Sequence, residues 1–155
     1  MTHKPELDIQ TAHKYFSADC FNRTWDFMDK KERSKEDEEN MLLATMTSLW
    51  HWKQRKDVTA TNLSVGYWQV ARVYALLGQG DIASQFGMLS LHESLKEGVE
   101  PLYLGFSHEA LARSNALSGD NERKNTHLRL AREACAKITD QKARKLLLDD
   151  LAAIN

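Results

Sequence analysis

Five residues in this chain are of the types that bind a small anion or a carboxylate. They are His51, Trp68, Arg72, Glu109 and Arg113. Two guanidiniums and a carboxylate beside aromatic rings suit an anionic small molecule, a peptide end or an acidic side chain. The predicted second, third and fifth helices carry them, so we expect them around one concave groove. The sequence therefore predicts a ligand or partner groove at this cluster.

The same residues also admit a purely structural interpretation. Glu109 and Arg113 lie four apart, as in an ordinary ion pair on one helix turn. Trp68 would then belong to the core, and Arg72 would link two helices through Glu109. A third interpretation makes Glu109 a general base, but two neighbouring guanidiniums would weaken its basicity. Binding is therefore favoured over catalysis, and no catalytic residue is assigned.

No motif for cofactor or metal chemistry is present in the sequence. It contains no phosphate-binding loop, no dinucleotide-binding glycine pattern, no H-E-x-x-H and no C-x-x-C. Nucleophile-elbow and kinase signatures are also absent. The histidines are not spaced as ligands on one helix turn; they are His3, His13, His51, His92, His108 and His127. We therefore predict no cofactor and no metal.

Composition narrows the class of protein. The chain has 155 residues, of which 42% are hydrophobic and 28% charged, and its net charge is −1. These values are typical of one globular domain and give no basic excess for nucleic acid. No apolar run is long enough for a membrane span, and the opening MTHKPELDIQ lacks the apolar stretch of a signal peptide. A cytoplasmic protein with two free thiols, Cys20 and Cys135, is expected.

Helical periodicity dominates the chain, and no alternating strand pattern is convincing. After a loose lead-in at residues 1–8, we predict helices at 8–30, 35–56, 61–78, 81–96, 101–118, 121–138 and 140–154. Thr61 or Asn62 is the expected cap of the third. The middle of the second, residues 41–52, is apolar or small nearly all round, which predicts a central, buried helix.

Two stretches of the chain resemble each other and indicate an internal repeat. When residues 66–91 are laid over 105–130, Gly80–Asp81 meets Gly119–Asp120. A glycine readily ends a helix, and the following Asp can cap the next one. The pattern predicts antiparallel hairpins at 66–96 and 105–138, with 140–154 as a closing helix. The expected fold is all-α, an α–α superhelix in one domain over residues 1–155.

A leucine followed shortly by a Gly-Asp pair, between two amphipathic helices, resembles the pattern of the tetratricopeptide repeat, although no Pro closes the unit. From about Ser34 onward the chain is similar to a family of small uncharacterised bacterial proteins with a tetratricopeptide-like fold. The motifs that carry this resemblance are His51–Trp52, the segment Trp68-Gln-Val-Ala-Arg72-Val73-Tyr74, and Glu109-Ala-Leu-Ala-Arg113 followed by Gly119–Asp120. His108 departs from the family, which has an aromatic residue before the Glu. The resemblance implies a fold but no assigned activity.

Three functions are compatible with these observations. The first is a module that binds a protein or peptide partner along a concave groove, since helical repeats commonly bind there. The second is a binder of an anionic small molecule, or an enzyme, built on Arg72, Glu109 and Arg113. The third is a structural protein that self-associates, as a homodimer, to cover apolar surface. Nucleic acid and membranes are not expected as partners.

Overall fold

The computed structural model describes residues 6–155, so residues 1–5 of the predicted lead-in lie outside it. This part of the chain is all-α, as predicted, and contains no strand. Its helices are α1 (Ile9–Met28), α2 (Lys35–Gln54), α3 (Ala60–Leu76), α4 (Gly80–Ser94), α5 (Pro101–Leu117), α6 (Asn121–Cys135) and α7 (Gln141–Ala152). Each falls within a few residues of a predicted helix. None of these described helices combines the length and apolarity that crossing a bilayer requires.

The chain divides into two compact units, Met1–Val58 and Thr59–Asn155. The first contains α1 and α2, which pack against each other as a hairpin. The second contains α3 to α7. The prediction of one domain over residues 1–155 stays a prediction.

The first unit begins each helix with a side-chain cap. The Asp8 carboxylate accepts from the first backbone N–H groups of α1. Ser34 and Asp37 form a capping box at the start of α2, in which each side chain accepts a hydrogen bond from the other residue's backbone N–H. The hairpin is joined in its interior by Ser48, whose hydroxyl donates to the backbone oxygen of Ser17 at 2.7 Å. Local sequence therefore sets where both helices start.

One face of α2 contradicts the prediction of a helix buried on all sides. Met41 and Leu49 are buried, but Leu43, Met46 and Trp50 are 57%, 39% and 53% exposed. The unit holds only one other described helix, α1, and a single neighbouring helix covers one face. Although apolar residues occur on every face of α2, only the face that packs on α1 is buried.

The second unit is built from two equivalent hairpins, α3 with α4 and α5 with α6. Corresponding helices have the same lengths, 17 residues for α3 and α5 and 15 residues for α4 and α6. The hairpins join through contacts of α5 with α3 and α4, and α7 packs on α5 and α6. The core of this unit contains seven buried residues, with Ala143 and Ile154 packed against it: Ala112, Leu128, Ala131, Cys135, Ile138, Leu147 and Leu151.

The glycines that correspond in the two hairpins differ from the prediction. Gly78 and Gly119 are the turn glycines, with φ of 74° and 73°, whereas Gly80 is the first residue of α4. The prediction matched Gly80–Asp81 with Gly119–Asp120 because both pairs read Gly-Asp, and it therefore set the repeat slightly too short. Asp120 does cap α6, but no side chain caps α4. Positive φ is what requires glycine in the turn, and only the backbone reveals which glycine adopts it.

The cap of α3 also differs from the prediction. Thr59, not Thr61 or Asn62, is the N-cap, and its hydroxyl oxygen accepts from the backbone N–H of Asn62 at 3.1 Å. The Asn62 side chain returns the bond to the backbone of Thr59. Asn62 is thus the far partner in a capping box rather than the cap itself.

Candidate functional site

Glu109 is the centre of the predicted cluster, and it is fully buried at 0% exposure. Its Oε2 accepts from Trp68 Nε1 at 2.9 Å. Its Oε1 accepts from Arg72 Nη1 at 2.9 Å and from Arg113 Nε at 2.8 Å. A buried carboxylate is stable only when paired and hydrogen-bonded, and here both oxygens are used. The cluster therefore joins α3 to α5 directly.

The repeat explains why these side chains meet. Trp68 and Arg72 lie four apart on α3, and Glu109 and Arg113 occupy the equivalent positions on α5. Residues four apart share one helix face, so each hairpin presents one arginine on the same side. Since α3 and α5 pack against each other, the two pairs face across the contact. One carboxylate consequently binds both arginines.

Asp150 on α7 belongs to this charged cluster and was missed from the sequence. Its backbone oxygen accepts from Arg113 Nη2 at 3.3 Å. Burial raises the pKa of the Asp150 carboxyl, and the charge of Glu109 acts in the same direction, while Arg72 and Arg113 oppose both. In the sequence, Asp150 is recognisable only as a polar residue of the predicted closing helix. Nothing in its spacing indicated that it would approach two arginines from other helices.

His51 lies in the first unit, where its ring packs among other aromatic side chains. Its Nδ1 is 2.8 Å from Nδ1 of His13, and the ring centroids of Phe16 and Trp50 lie 5.4 and 5.0 Å away. Burial lowers the pKa of His51, and the proximity of His13 lowers it further. The structure thus brings together four of the five predicted site residues in the second unit and gives His51 a separate set of contacts.

A groove in the second unit opens beside the charged cluster. Its volume is about 290 Å³, and Arg113 forms part of its wall. The other lining residues come from the ends of α3 and α5 and from the residues that follow α7: Ala75, Leu76, Ala116, Leu117, Ala153, Ile154 and Asn155. Leu76 and Leu117 are 38% and 49% exposed, although both are large and apolar. The groove therefore combines an apolar floor with one guanidinium.

Two histidines that the sequence left apart also meet in this unit. Nδ1 of His108 lies 3.0 Å from Nδ1 of His127, which links α5 to α6. Burial lowers the pKa of His108 to about 4, and the proximity of His127 lowers it as well. Burial also lowers the pKa of His127, with Arg123 acting in the same direction. Both rings are therefore neutral at pH 7, one donating and the other accepting.

Metal ligation receives no support from the arrangement of side chains. Within residues 6–155, no three His, Cys, Asp or Glu side chains converge to hold an ion. Cys20 and Cys135 are free thiols, as predicted; Cys135 is buried and Cys20 partly so. Burial raises the pKa of both thiols, which keeps them protonated and unreactive at neutral pH.

Fold and site together define the chain as an all-α protein of helical hairpins with a buried carboxylate shared by two arginines. Comparison with protein-family models, with curated proteins and with solved structures found no match to this chain.

Proposed function

We propose that this chain is a tetratricopeptide-like helical-repeat protein whose second unit binds a peptide segment of a partner protein. The repeat of two hairpins with helices of equal length supports the first part of the proposal. The groove beside Arg113 supports the second part, the binding of a peptide segment. In this proposal the partner places an apolar side chain in the groove and a carboxylate on the guanidinium.

The observation that carries the proposal is a pair of equivalent leucines. Leu76 ends α3 and Leu117 ends α5, so the repeat places the same exposed apolar side chain twice on one groove. Ala75 and Ala116, one residue earlier, leave room between them. Large apolar side chains that stay exposed beside a concave surface are typical of binding sites.

Charge favours a carboxylate as the polar part of the ligand. The negative charge of Glu109 is buried, whereas the side chains of Arg72 and Arg113 keep 19% and 20% exposure. Arg113 uses Nε and Nη2 for Glu109 and Asp150, so its bonds within residues 6–155 do not involve Nη1. A guanidinium held in place by other bonds loses little freedom when it binds a carboxylate.

The test is a fluorescence-anisotropy titration of the full chain against pools of short labelled peptides. One set of pools ends in an apolar residue with a free carboxylate, and a second set is identical but amidated. Saturable binding of the free-carboxylate pools, weakened about tenfold by amidation, is expected from the loss of one charge-assisted contact of roughly 1.4 kcal/mol.

A matched pair of variants locates the binding. Leu117→Glu places a charge in the groove and is expected to abolish binding, while Leu89→Glu on α4 should leave it unchanged. Leu89 is the right control because it is 43% exposed and does not line the groove. If no pool saturates, or if both variants bind like the parent, the proposal fails.

An enzyme built on the same cluster is less well supported. A general base needs an oxygen that can reach the substrate proton. Both oxygens of Glu109 accept bonds from Trp68, Arg72 and Arg113, and the side chain has no exposed surface. Glu109 is placed to hold helices together. An anionic small molecule on Arg113 remains the alternative ligand, and it would compete with the peptide in the same titration.

A further inference from the structure

The exposed face of α2 carries an ordered row of side chains. Positions spaced alternately three and four apart lie on one stripe of a helix, which is the spacing of a coiled-coil seam. On α2 this row is Glu36, Glu39, Leu43, Met46, Trp50 and Lys53, and all six are exposed. Met41, Thr45, Ser48 and Leu49 are the buried residues of the same helix. The helix thus has a second, solvent-exposed seam on the side away from its buried face.

Charge along this row changes sign from one end to the other. Two carboxylates stand at the start of α2, three large apolar side chains in the middle, and an ammonium at the end. Such a row is complementary to itself only when two copies run antiparallel. A parallel pair would place Glu36 on Glu36 and Lys53 on Lys53, and like charges in contact destabilise an interface.

One antiparallel register matches every position in the row. With Leu43 against Met46 of a second copy, Trp50 lies against Glu39 and Lys53 against Glu36. Leu43 and Met46 of the two copies then pack on each other, Trp50 lies against the side chain of Glu39, and Lys53 meets Glu36 at both ends of the seam. An isologous arrangement of this kind repeats each contact twice about a two-fold axis.

We propose that the α2 seam, defined by these six residues, is a homodimer interface in which two copies of the chain pair antiparallel. The occupant is a second copy because the seam itself supplies both halves of the charge pattern. The seam belongs to the first unit and the groove at Arg113 to the second, so the proposals for dimerisation and for peptide binding rest on different residues.

The small apolar area of the α2 seam indicates a weak dimer. From the exposed fractions of Leu43, Met46 and Trp50, the apolar centre offers roughly 300 Å² per copy, given about 150–250 Å² for a whole aromatic side chain. Because about 60% of an interface is apolar, two copies imply a total of roughly 1,000 Å². That lies at the low end for specific complexes, so a dissociation constant in the micromolar range is expected.

Sedimentation velocity of the full chain, from micromolar to millimolar concentration, measures the equilibrium. Met46→Glu puts a charge at the apolar centre and should leave the chain monomeric throughout. The matched control is Met88→Glu on α4, since Met88 is 53% exposed and lies outside the seam. A chain that stays monomeric to millimolar concentration, or a Met46→Glu variant that dimerises like the parent, overturns the proposal.

Charge reversal tests the antiparallel register. Glu36→Lys and Lys53→Glu each turn the end contacts into like-charge pairs, so each variant alone should dimerise about tenfold more weakly. Mixed in equal amounts, the two variants have complementary ends and should form a heterodimer at least as readily as the parent homodimer. In a parallel pair Lys53→Glu would replace one like-charge contact by another. An unchanged Lys53→Glu dimer, or a mixture that gains nothing, therefore refutes the register.

Discussion

Arg72 and Arg113 occupy equivalent positions of two successive hairpins, and both donate to the same oxygen of Glu109. The two arginines come from α3 and α5, which are the first helices of their hairpins. A single carboxylate therefore fixes the register of one repeat against the next. This ties the charged cluster to the stability of the second unit, whatever binds in the groove beside it.

Removing the charge of Glu109 should destabilise the protein strongly. Glu109→Gln leaves two guanidiniums without their buried counterion, and breaking a buried ion pair costs about 3 kcal/mol. A lowered midpoint in urea denaturation, followed by circular dichroism, is the expected result. Glu133→Gln is the control, because Glu133 also pairs with an arginine four residues away but is 56% exposed. That change should stay within about 0.5 kcal/mol; equal effects of the two substitutions would contradict the structural role of Glu109.

A methyl group at Gly105 should collide with α7. A Cβ built there would lie 2.5 Å from Leu147 Cδ2, and Leu147 is fully buried. Gly105→Ala is expected to lower the free energy of unfolding by about 1–3 kcal/mol through overpacking. Leu147→Val removes the colliding carbon, so the double variant should be more stable than the sum of the single changes predicts. Additive effects in this double-mutant cycle would show that the two residues are not in contact.

The buried hydroxyl of Ser90 should contribute measurably to the packing of three helices. Ser90 Oγ donates to the backbone oxygen of Ser64 on α3 at 2.9 Å and lies 2.8 Å from Ser107 Oγ on α5. Ser90→Ala leaves buried partners unsatisfied, so a loss of about 1–2 kcal/mol is expected in chemical denaturation. Ser118→Ala should cost less, because Ser118 is an exposed residue whose hydroxyl donates to the backbone oxygen of Ser114 on the preceding turn. A neutral Ser90→Ala would mean that these hydroxyls are not held as described.

The His108–His127 pair should make the protein less stable in mild acid. The pKa of folded His108 is lowered from 6.5 to about 4 by burial, so the unfolded chain binds more protons between these values. The contribution of His108 to the stability is fully present above the pKa that this residue has in the unfolded chain, and it is lost as the pH falls toward about 4. The expected loss is about 2 kcal/mol for a shift of this size in a largely buried ring.

Urea denaturation at a series of pH values checks this prediction. His108→Gln should flatten the fall in stability between about pH 6.5 and pH 4, the values that bound the shift. His92→Gln, at an exposed histidine on α4, should retain the slope of the parent. A His108→Gln profile parallel to that of the parent would exclude the histidine pair as the cause.

Much of the fold was predictable because helices depend on neighbours along the chain. The periodic apolar positions, Ser34 with Asp37, and Pro101 at the start of α5 all act within a turn or two. The i,i+4 spacing of Glu109 and Arg113 likewise predicted their contact. The link from Arg72 to Glu109 was one of the predicted alternatives, whereas the hydrogen bond from Trp68 Nε1 to Glu109 was not predicted; packing of α3 on α5 produces both.

The sequence by itself determined the helices, their pairing into hairpins and the residue types of the charged cluster. The tertiary structure decided which glycines take positive φ, and hence which positions of the two hairpins correspond. It also decided that Asp150 approaches Arg113, that His108 meets His127, and that one apolar face of α2 stays exposed. Local spacing fixes which residues share a helix face, but what covers that face depends on contacts between segments far apart in the chain.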